Sequence, residues 1–273
     1  MKKIFKLWLL IFFGFSTSIF AFDHQHQQWN ELLQALVIKM PDGHSNMVDY
    51  QKFKQKEEKL DLYLNGLSAI GGTEFENWEK TKRLAFLINA YNAFTIKLIL
   101  LEYPKLDSIK DLGSFFTSPW EKKVFMLFGR KVYLDEIEHK MIRKKGVYDE
   151  PYIHFALVCA AWSCPPLRNE AFVYNKLNQQ LEDNLIHFLS DKKRNRFEAK
   201  EKSLVISKIF DWYEDDFKAG YKAIHSLKGF FVNWAHLLSE NEQDRAFIQS
   251  QKAEIEYIDY DWQLNDFNRM TNH

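Results

Sequence analysis

Several features are scarce in this 273-residue chain, and each scarcity narrows the class of protein. There are only ten glycines and six prolines, too few for a repetitive all-β architecture with many tight turns. Basic and acidic residues balance at 37 each, so there is no basic excess to bind nucleic acid. No internal repeat, low-complexity block or Pro/Gly/Ser-rich linker divides the sequence. We therefore expect one globular domain with a substantial core.

Long apolar runs are also scarce, and the first lies near the N-terminus. Three lysines (Lys2, Lys3 and Lys6) precede the apolar residues 7–13, and the small residue Ala21 follows a weaker stretch. This order is typical of a secretory signal peptide, and the run is shorter than the about 20 residues of a membrane span. The alternative is an uncleaved anchor. We expect residues 1–21 to be removed on export, leaving residues 22–273 in the periplasm or secreted.

The predicted mature chain has a small negative charge. Cleavage removes three lysines and no acid, leaving 34 basic against 37 acidic residues and a net charge of −3. Both cysteines lie far downstream of the cleavage region, which excludes lipid attachment at a new N-terminal cysteine. We predict no nucleic-acid partner, no membrane span after cleavage, no cofactor, and an unknown small-molecule or peptide ligand.

Helical periodicity dominates the first part of the mature chain. It predicts helices over residues 27–40, 50–67 and 73–102, the last with a break near Trp78. Thr73 and Glu76 have the spacing of a capping box at the start of the third helix, and Pro104 follows its end. Residues 84–101 are apolar nearly all round, so this helix should be central and buried.

In the middle and at the end of the chain the pattern of apolar residues indicates short strands as well as helices. It predicts a hairpin with strands at 124–128 and 131–134 around Gly129-Arg130, a helix at 135–143, and strands at 153–159, 203–207 and 254–261. The expected fold class is α+β and mostly helical. The buried central helix is expected to pack on a small, largely antiparallel sheet.

Two amides interrupt the apolar central helix. Asn89 and Asn92 stand three residues apart and share a face with Ala85, Ala93 and Ile96. A buried amide without partners costs about 1–3 kcal/mol. They must therefore either line a polar cavity or pair with irregular backbone in the core.

The densest chemical signal holds both cysteines of the chain, Cys159 and Cys164, within eleven residues of His154. Three interpretations stay open: a Cys159–Cys164 disulfide in an oxidising compartment, a metal site with His154 and perhaps His139, or a thiol nucleophile with a histidine base. A regular strand at 153–159 would point His154 and Cys159 to opposite faces, so these two would not form a dyad.

Cys164 is the predicted nucleophile under the third interpretation. It lies beyond a turn, and Pro165 suits the first position of a helical turn with Cys164 at the N-cap. The nearby Arg168 would favour the thiolate there. His154 or His139 would then serve as the base.

For His139 and for two acidic-aromatic clusters, a purely structural role is more common than a functional one. His139 lies among apolar residues of a short predicted helix, where a satisfied core histidine is the more frequent role. Acidic-aromatic clusters at 210–217 and 257–262 could line a cation or sugar groove. Half-buried aromatics with solvated acids are the more common arrangement.

Five motifs in one order resemble family 547 of the domains of unknown function. They are Leu87-Ile88-Asn89-Ala90-Tyr91-Asn92-Ala93, Ile137-Glu138-His139, Ile153-His154-Phe155-Ala156-Leu157-Val158-Cys159, Ser163-Cys164-Pro165-Pro166-Leu167-Arg168 and Tyr260-Asp261-Trp262-Gln263-Leu264-Asn265. The similarity runs from about Val48 to Asn265. It implies a family core with those limits, an exported bacterial branch and the same candidate residues, and it supplies no substrate.

Two main functional hypotheses follow. The first is a thiol-dependent hydrolase or acyl transferase, in which Cys164 attacks, a histidine accepts its proton, and Asn92 or Asn89 orients the base or binds an oxyanion. The second is a non-enzymatic binding or scaffold domain shaped by a Cys159–Cys164 disulfide. A metal site is the third possibility.

Overall fold

The computed structural model describes residues 21–114 and 116–272, without the side chains of 270–272. The predicted signal lies outside the described residues except for Ala21. The described chain is α+β and mostly helical, which confirms the predicted class.

The first half begins with a helix and a short hairpin. Helix α1 (Gln27–Leu36) ends four residues earlier than predicted, because β1 (Val37–Lys39) follows at once and pairs antiparallel with β2 (Asn46–Val48). Strands of three residues are too short to give a clear period in the sequence.

The next two predicted helices are each divided. Residues 50–67 form α2 (Tyr50–Gln55) and α3 (Glu57–Ser68), with Lys56 between them. The third forms α4 (Gly72–Glu76) and α5 (Lys80–Leu100), with the predicted break at 77–79. The predicted capping box is wrong, since α4 begins after Gly71 and has no side-chain cap.

Helix α5 is the centre of the core, as predicted. Every residue from Leu84 to Leu100 except Lys97 is buried. Its main neighbours are other helices, and Phe94 stacks on Phe125 with ring centroids 4.3 Å apart. Among the described residues α5 is long and apolar enough to cross a membrane by length and composition alone, but 89% of its most apolar window is buried in the protein. That burial is typical of a core helix.

The predicted hairpin is present, with its turn one residue earlier than expected. Strands β3 (Phe125–Leu127) and β4 (Arg130–Val132) pair antiparallel. Phe128 and Gly129 form the turn with φ of 55° and 75°, the left-handed pair of a type I′ turn. Helix α6 (Leu134–Glu136) then continues into a wider π-helical segment, Ile137–Ile142.

The predicted strand at 153–159 is wrong. Pro151–Phe155 is a 3₁₀ helix, and the chain from Ala156 to Cys164 is irregular. A short apolar run does not distinguish a buried strand from other buried segments. Here distant side chains bind the backbone: Asn184 donates to the Phe155 carbonyl at 2.8 Å, and Asn92 binds the residues that follow.

The second half contains α7 (Leu177–Ser190) and a three-stranded sheet. Strand β6 (Ser203–Ser207) has its predicted limits, β5 (Arg196–Glu198) was not predicted, and β7 (Glu254–Ile258) is shorter than expected. Strands β5 and β6 pair antiparallel, whereas β6 and β7 are parallel. The connection from β6 to β7 holds α8 (Ile209–Trp212), α9 (Glu214–Phe217), α10 (Leu227–Leu238) and α11 (Glu242–Gln249). The strands thus lie in separate small sheets rather than one.

The two asparagines of α5 pair with irregular backbone, which is the second alternative stated for them. Asn89 donates to the Phe172 carbonyl at 2.7 Å and accepts from the Phe172 N–H at 3.0 Å. Asn92 donates to the Ala156 carbonyl at 2.9 Å and accepts from the Val158 N–H at 3.1 Å. Each amide therefore attaches a segment without regular structure to the central helix.

Replacing one of these amides should destabilise the fold. In Asn89→Leu the buried carbonyl and N–H of Phe172 lose their partner, and we expect the free energy of unfolding in urea to fall by about 2–4 kcal/mol. Thr95→Val is the matched control. The Thr95 hydroxyl donates to the Tyr91 carbonyl inside the same helix, and this carbonyl keeps its helical bond, so the loss should stay below about 1 kcal/mol. Equal losses in both variants would contradict the role of Asn89.

Candidate functional site

The predicted site residues meet at a cavity of about 210 Å³. Helix α5, the π-helical segment, the irregular chain before Cys164, helix α8 and the segment after β7 each contribute to its wall. The lining residues are Tyr91, Ser118, Trp120, Asp135, Glu138, His139, His154, Leu157, Cys159, Cys164, Pro165, Ile209, Trp212, Tyr213, Tyr260 and Trp262. Four of the six predicted residues therefore share one cavity, while Asn89 and Asn92 lie behind it.

The two cysteines are adjacent. Their sulfurs are 2.7 Å apart and not bonded, and the Cys159 N–H donates to the Cys164 sulfur at 2.8 Å. The Tyr260 hydroxyl lies 3.1 Å from the Cys159 sulfur. Ala160 between them has a left-handed φ of 59°, which turns the chain back so that the thiols meet.

The two thiols differ in acidity. Burial acts to raise the pKa of Cys159, but hydrogen bonds from Cys164, Tyr260 and the Ala161 N–H outweigh it and lower that pKa below its usual value. Burial, the hydrogen bond to Cys159 and the negative charge of the Cys159 thiolate raise the pKa of Cys164 well above its usual range. Cys164 is buried and Cys159 is only half-buried. Cys159 is therefore the thiol more readily ionised and reached.

Two expectations for Cys164 are wrong. No helix begins at Pro165, so Cys164 is not an N-cap. Arg168 pairs instead with the carboxylates of Glu170 and Asp183, at 2.5 and 3.2 Å. Its charge is thus compensated elsewhere, and the arrangement that would have favoured a Cys164 thiolate is not formed.

His154 belongs to an ion-pair network beside the cysteines. Its Nε2 donates to Asp216 Oδ2 at 2.7 Å, and Arg143 Nε donates to the same oxygen at 2.6 Å. The imidazole stacks on Tyr213 with ring centroids 3.9 Å apart. Burial lowers the pKa of His154 despite the Asp216 hydrogen bond. The imidazole is therefore neutral near pH 7.

Asp216 is the ionised member of that network. Burial acts to raise its pKa, but the hydrogen bonds from His154 and Arg143 hold the pKa of this carboxyl well below its usual range. His139 lies on the other side of Arg143, hydrogen-bonds it through Nδ1, and contacts Asp135 through Nε2 at 3.2 Å. Within residues 21–114 and 116–272, neither histidine is hydrogen-bonded to a cysteine.

Glu138 was missed in the sequence analysis, although it precedes His139. Its carboxylate is buried and accepts from the Tyr91 hydroxyl at 3.1 Å, and it lies near the Tyr213 hydroxyl. Burial and this carboxylate raise the pKa of both phenols far above their usual values, so both stay protonated. A tyrosine between two buried asparagines was the available signal, because its hydroxyl needs a buried partner.

Aromatic residues of the two acidic-aromatic clusters line part of the cavity. Most of these rings are half-buried, and Asp211, Asp215, Asp259 and Asp261 are exposed, which agrees with the more common arrangement expected for them. Trp212 is 46% exposed and stacks on Trp262 with centroids 5.8 Å apart. Tyr260 contacts both rings, and Trp120 packs edge-on against Trp262. These rings give the cavity an apolar wall next to Cys159.

The metal interpretation has no assembled set of ligands here. Across the described parts of the chain, no group of three or more His, Cys, Asp or Glu side chains is placed to hold a metal ion. The two thiols lack a third side chain of this kind, since His154 is directed to Asp216 instead.

The fold and the site define an α+β domain with a dithiol at an aromatic cavity. Residues 75–189 match the family described as "Protein of unknown function, DUF547". The match confirms the predicted resemblance and is shorter than the expected core. It contains all six predicted site residues and Glu138, whereas Asp216 and Tyr260 lie outside. No curated protein and no solved structure matches significantly.

The difference between the thiols can be tested by alkylation. We expect iodoacetamide to modify Cys159 first, and its rate to reach a plateau at lower pH than for a free thiol, because only the thiolate reacts. Cys164→Ala removes a hydrogen-bond donor and should shift the midpoint to higher pH. Cys164→Ser keeps a donor and should shift it less. Faster labelling of Cys164, or an unchanged midpoint in Cys164→Ala, would contradict the assignment; peptide mass spectrometry measures both.

Proposed function

We propose that the chain catalyses thiol–disulfide exchange, with Cys159 as the attacking thiol and Cys164 as the resolving thiol. The observation that carries this proposal is the 2.7 Å approach of the two sulfurs beside an open cavity. The more acidic thiol, Cys159, is half-buried, and the less acidic thiol, Cys164, is buried. This division suits an entry thiol and a resolving thiol.

The reaction proceeds in two displacements. The Cys159 thiolate attacks one sulfur of a substrate disulfide, forms a mixed disulfide, and releases the other substrate sulfur as a thiolate. Cys164 then transfers its proton to the released thiolate and attacks the Cys159 sulfur. This forms the Cys159–Cys164 disulfide and frees the second substrate sulfur as a thiolate. Two electrons pass from the dithiol to the substrate, and the reverse sequence oxidises a substrate dithiol.

The substrate class follows from the wall of the cavity and from the predicted export. The aromatic rings of Trp120, Trp212 and Trp262 suit an apolar or aromatic peptide segment next to the reacting sulfur. Export by residues 1–21 would bring the dithiol into an oxidising compartment, the periplasm or the exterior, where peptide disulfides occur. A cysteine-containing peptide is therefore the proposed substrate.

Glutathione is a suitable probe of the exchange. In glutathione buffers of defined ratio, the wild-type protein should interconvert between dithiol and Cys159–Cys164 disulfide without accumulating adduct. Cys164→Ser should accumulate a glutathione adduct on Cys159, because the resolving thiol is absent. Cys159→Ser should form no adduct at comparable rate. Intact mass spectrometry after acid quench measures each species; a disulfide that resists reduction, or an adduct mainly on Cys164, would reject the exchange mechanism.

A hydrolase or acyl transferase is the second candidate, now with Cys159 as the nucleophile. It is favoured by the titratable side chains in the same cavity, since Glu138, His139 and His154 all line it beside Cys159.

The variant Cys164→Ser distinguishes thiol–disulfide exchange from acyl transfer. It should abolish turnover in exchange but retain acylation of Cys159 by an activated ester, whereas Cys159→Ser should lose both. A disulfide that persists under reducing buffers would instead support a binding or scaffold domain.

A further inference from the structure

The residues that follow the predicted cleavage position have an unusual order. Cleavage after the exposed Ala21 would make Phe22 the first residue, Asp23 the second and His24 the third. A free amine, two backbone amides and a histidine at the third position are four nitrogen atoms that one chain segment can direct at one ion. This inference rests on the proposed export and is independent of the thiol chemistry.

These nitrogens are not engaged elsewhere in the described chain. His24 Nδ1 is enclosed and has no hydrogen-bond partner, and the Asp23 and His24 N–H groups donate no hydrogen bond within residues 21–114 and 116–272. The other polar atoms of Asp23 are occupied. Its carboxylate accepts from the Gln25 and Gln27 N–H groups at 2.9 and 2.8 Å, and its carbonyl accepts from the His26 N–H at 3.0 Å.

We propose that the mature N-terminus binds Cu²⁺ or Ni²⁺ in a square-planar site of four nitrogens. The ligands are the Phe22 amine, the Asp23 and His24 backbone nitrogens, and His24 Nδ1. Tetragonal nitrogen sites are the geometry that these two ions prefer. Both amides lose their protons on binding, so their two negative charges neutralise the divalent ion and the amine and imidazole remain neutral.

The surroundings of the segment agree with this site. The Phe22 ring stacks on Trp78 with centroids 5.4 Å apart, and the His24 ring packs edge-on against the same indole at 4.5 Å. Both rings are thus held against Trp78, just before α5, rather than free in solvent. Burial and the neighbouring Lys82 lower the pKa of His24, which keeps its imidazole in the neutral form that binds metals. A neutral complex is not repelled by Lys82.

The proposed site differs from metal sites built only from His, Cys, Asp and Glu side chains, because backbone nitrogens supply half of its ligands. It should also depend strongly on pH. Protons compete for the amine, the imidazole and both amides, so acid should release the metal. Trp78 lies close enough to report binding through quenching of its fluorescence by Cu²⁺.

The test uses the mature chain beginning at Phe22, with Cys159→Ser and Cys164→Ser to exclude thiol binding. Titration with CuCl₂ against a competing chelator should give one bound ion per chain and the visible absorption of a square-planar four-nitrogen Cu²⁺ centre, with tryptophan quenching. One control is the same chain beginning at Ala21, which moves the histidine to the fourth position and changes no side chain. The other is His24→Ala in the chain beginning at Phe22.

Both controls should bind Cu²⁺ more weakly by about tenfold or more and lack that spectrum. His24→Ala removes the imidazole ligand, and the added Ala21 places the terminal amine one residue too far from the histidine for the same square plane. Equal affinity in the three chains would overturn the site. The proposal would also fail if the protein isolated after export began at a residue other than Phe22, as determined by the mass of its N-terminal peptide.

Discussion

The pairing of Asn92 with the backbone of residues 156–158 is the contact on which the cysteine site depends. The chain there has no strand or helix partner, and one side chain satisfies both a carbonyl and an N–H. The asparagine comes from a helix that is packed on all sides, so it has no freedom to follow a displaced loop. Asn89 acts on Phe172 in the same way. Buried polarity on α5 thus positions the segment before the cysteines relative to the core.

The loop with the cysteines is fixed from its other side by the end of the chain. The Trp162 N–H donates to the Gln263 carbonyl at 2.7 Å, and the Ser163 N–H donates to the Asp261 carbonyl at 3.1 Å. These bonds also set the position of Tyr260, whose hydroxyl contacts Cys159. The acidity of Cys159 therefore depends on a segment about a hundred residues further along the chain, outside the matched family segment.

The parts of the fold that could be predicted are those determined by local pattern. The apolar residues of α5 and the short apolar run of β6 predicted elements with nearly correct limits. The segment 153–159 could not be predicted, because its hydrogen bonds go to Asn92 and Asn184, which its own sequence does not reveal. Local apolar content alone favours a strand there.

The candidate site shows the same division. Both cysteines, His154 and His139 were identifiable from residue type and do line one cavity. Their pairings were not identifiable: His154 is bound to Asp216, and Arg168 to Glu170, through contacts that only the folded chain creates. The choice between Cys159 and Cys164 depended on burial and on Tyr260, so sequence position alone favoured the wrong thiol as the more acidic one.

The short separation of the cysteines has a thermodynamic consequence. A bond between Cys159 and Cys164 would close a loop of only six residues. In the chain-entropy description such a loop restricts the unfolded chain by only about 2 kcal/mol, less than the loops of 15 to 100 residues closed by many structural disulfides. The irregular segment is already held by Asn92 and by the end of the chain in either state. Oxidation of the pair would therefore stabilise the domain by about 2 kcal/mol in this description, less than a disulfide that closes a longer loop.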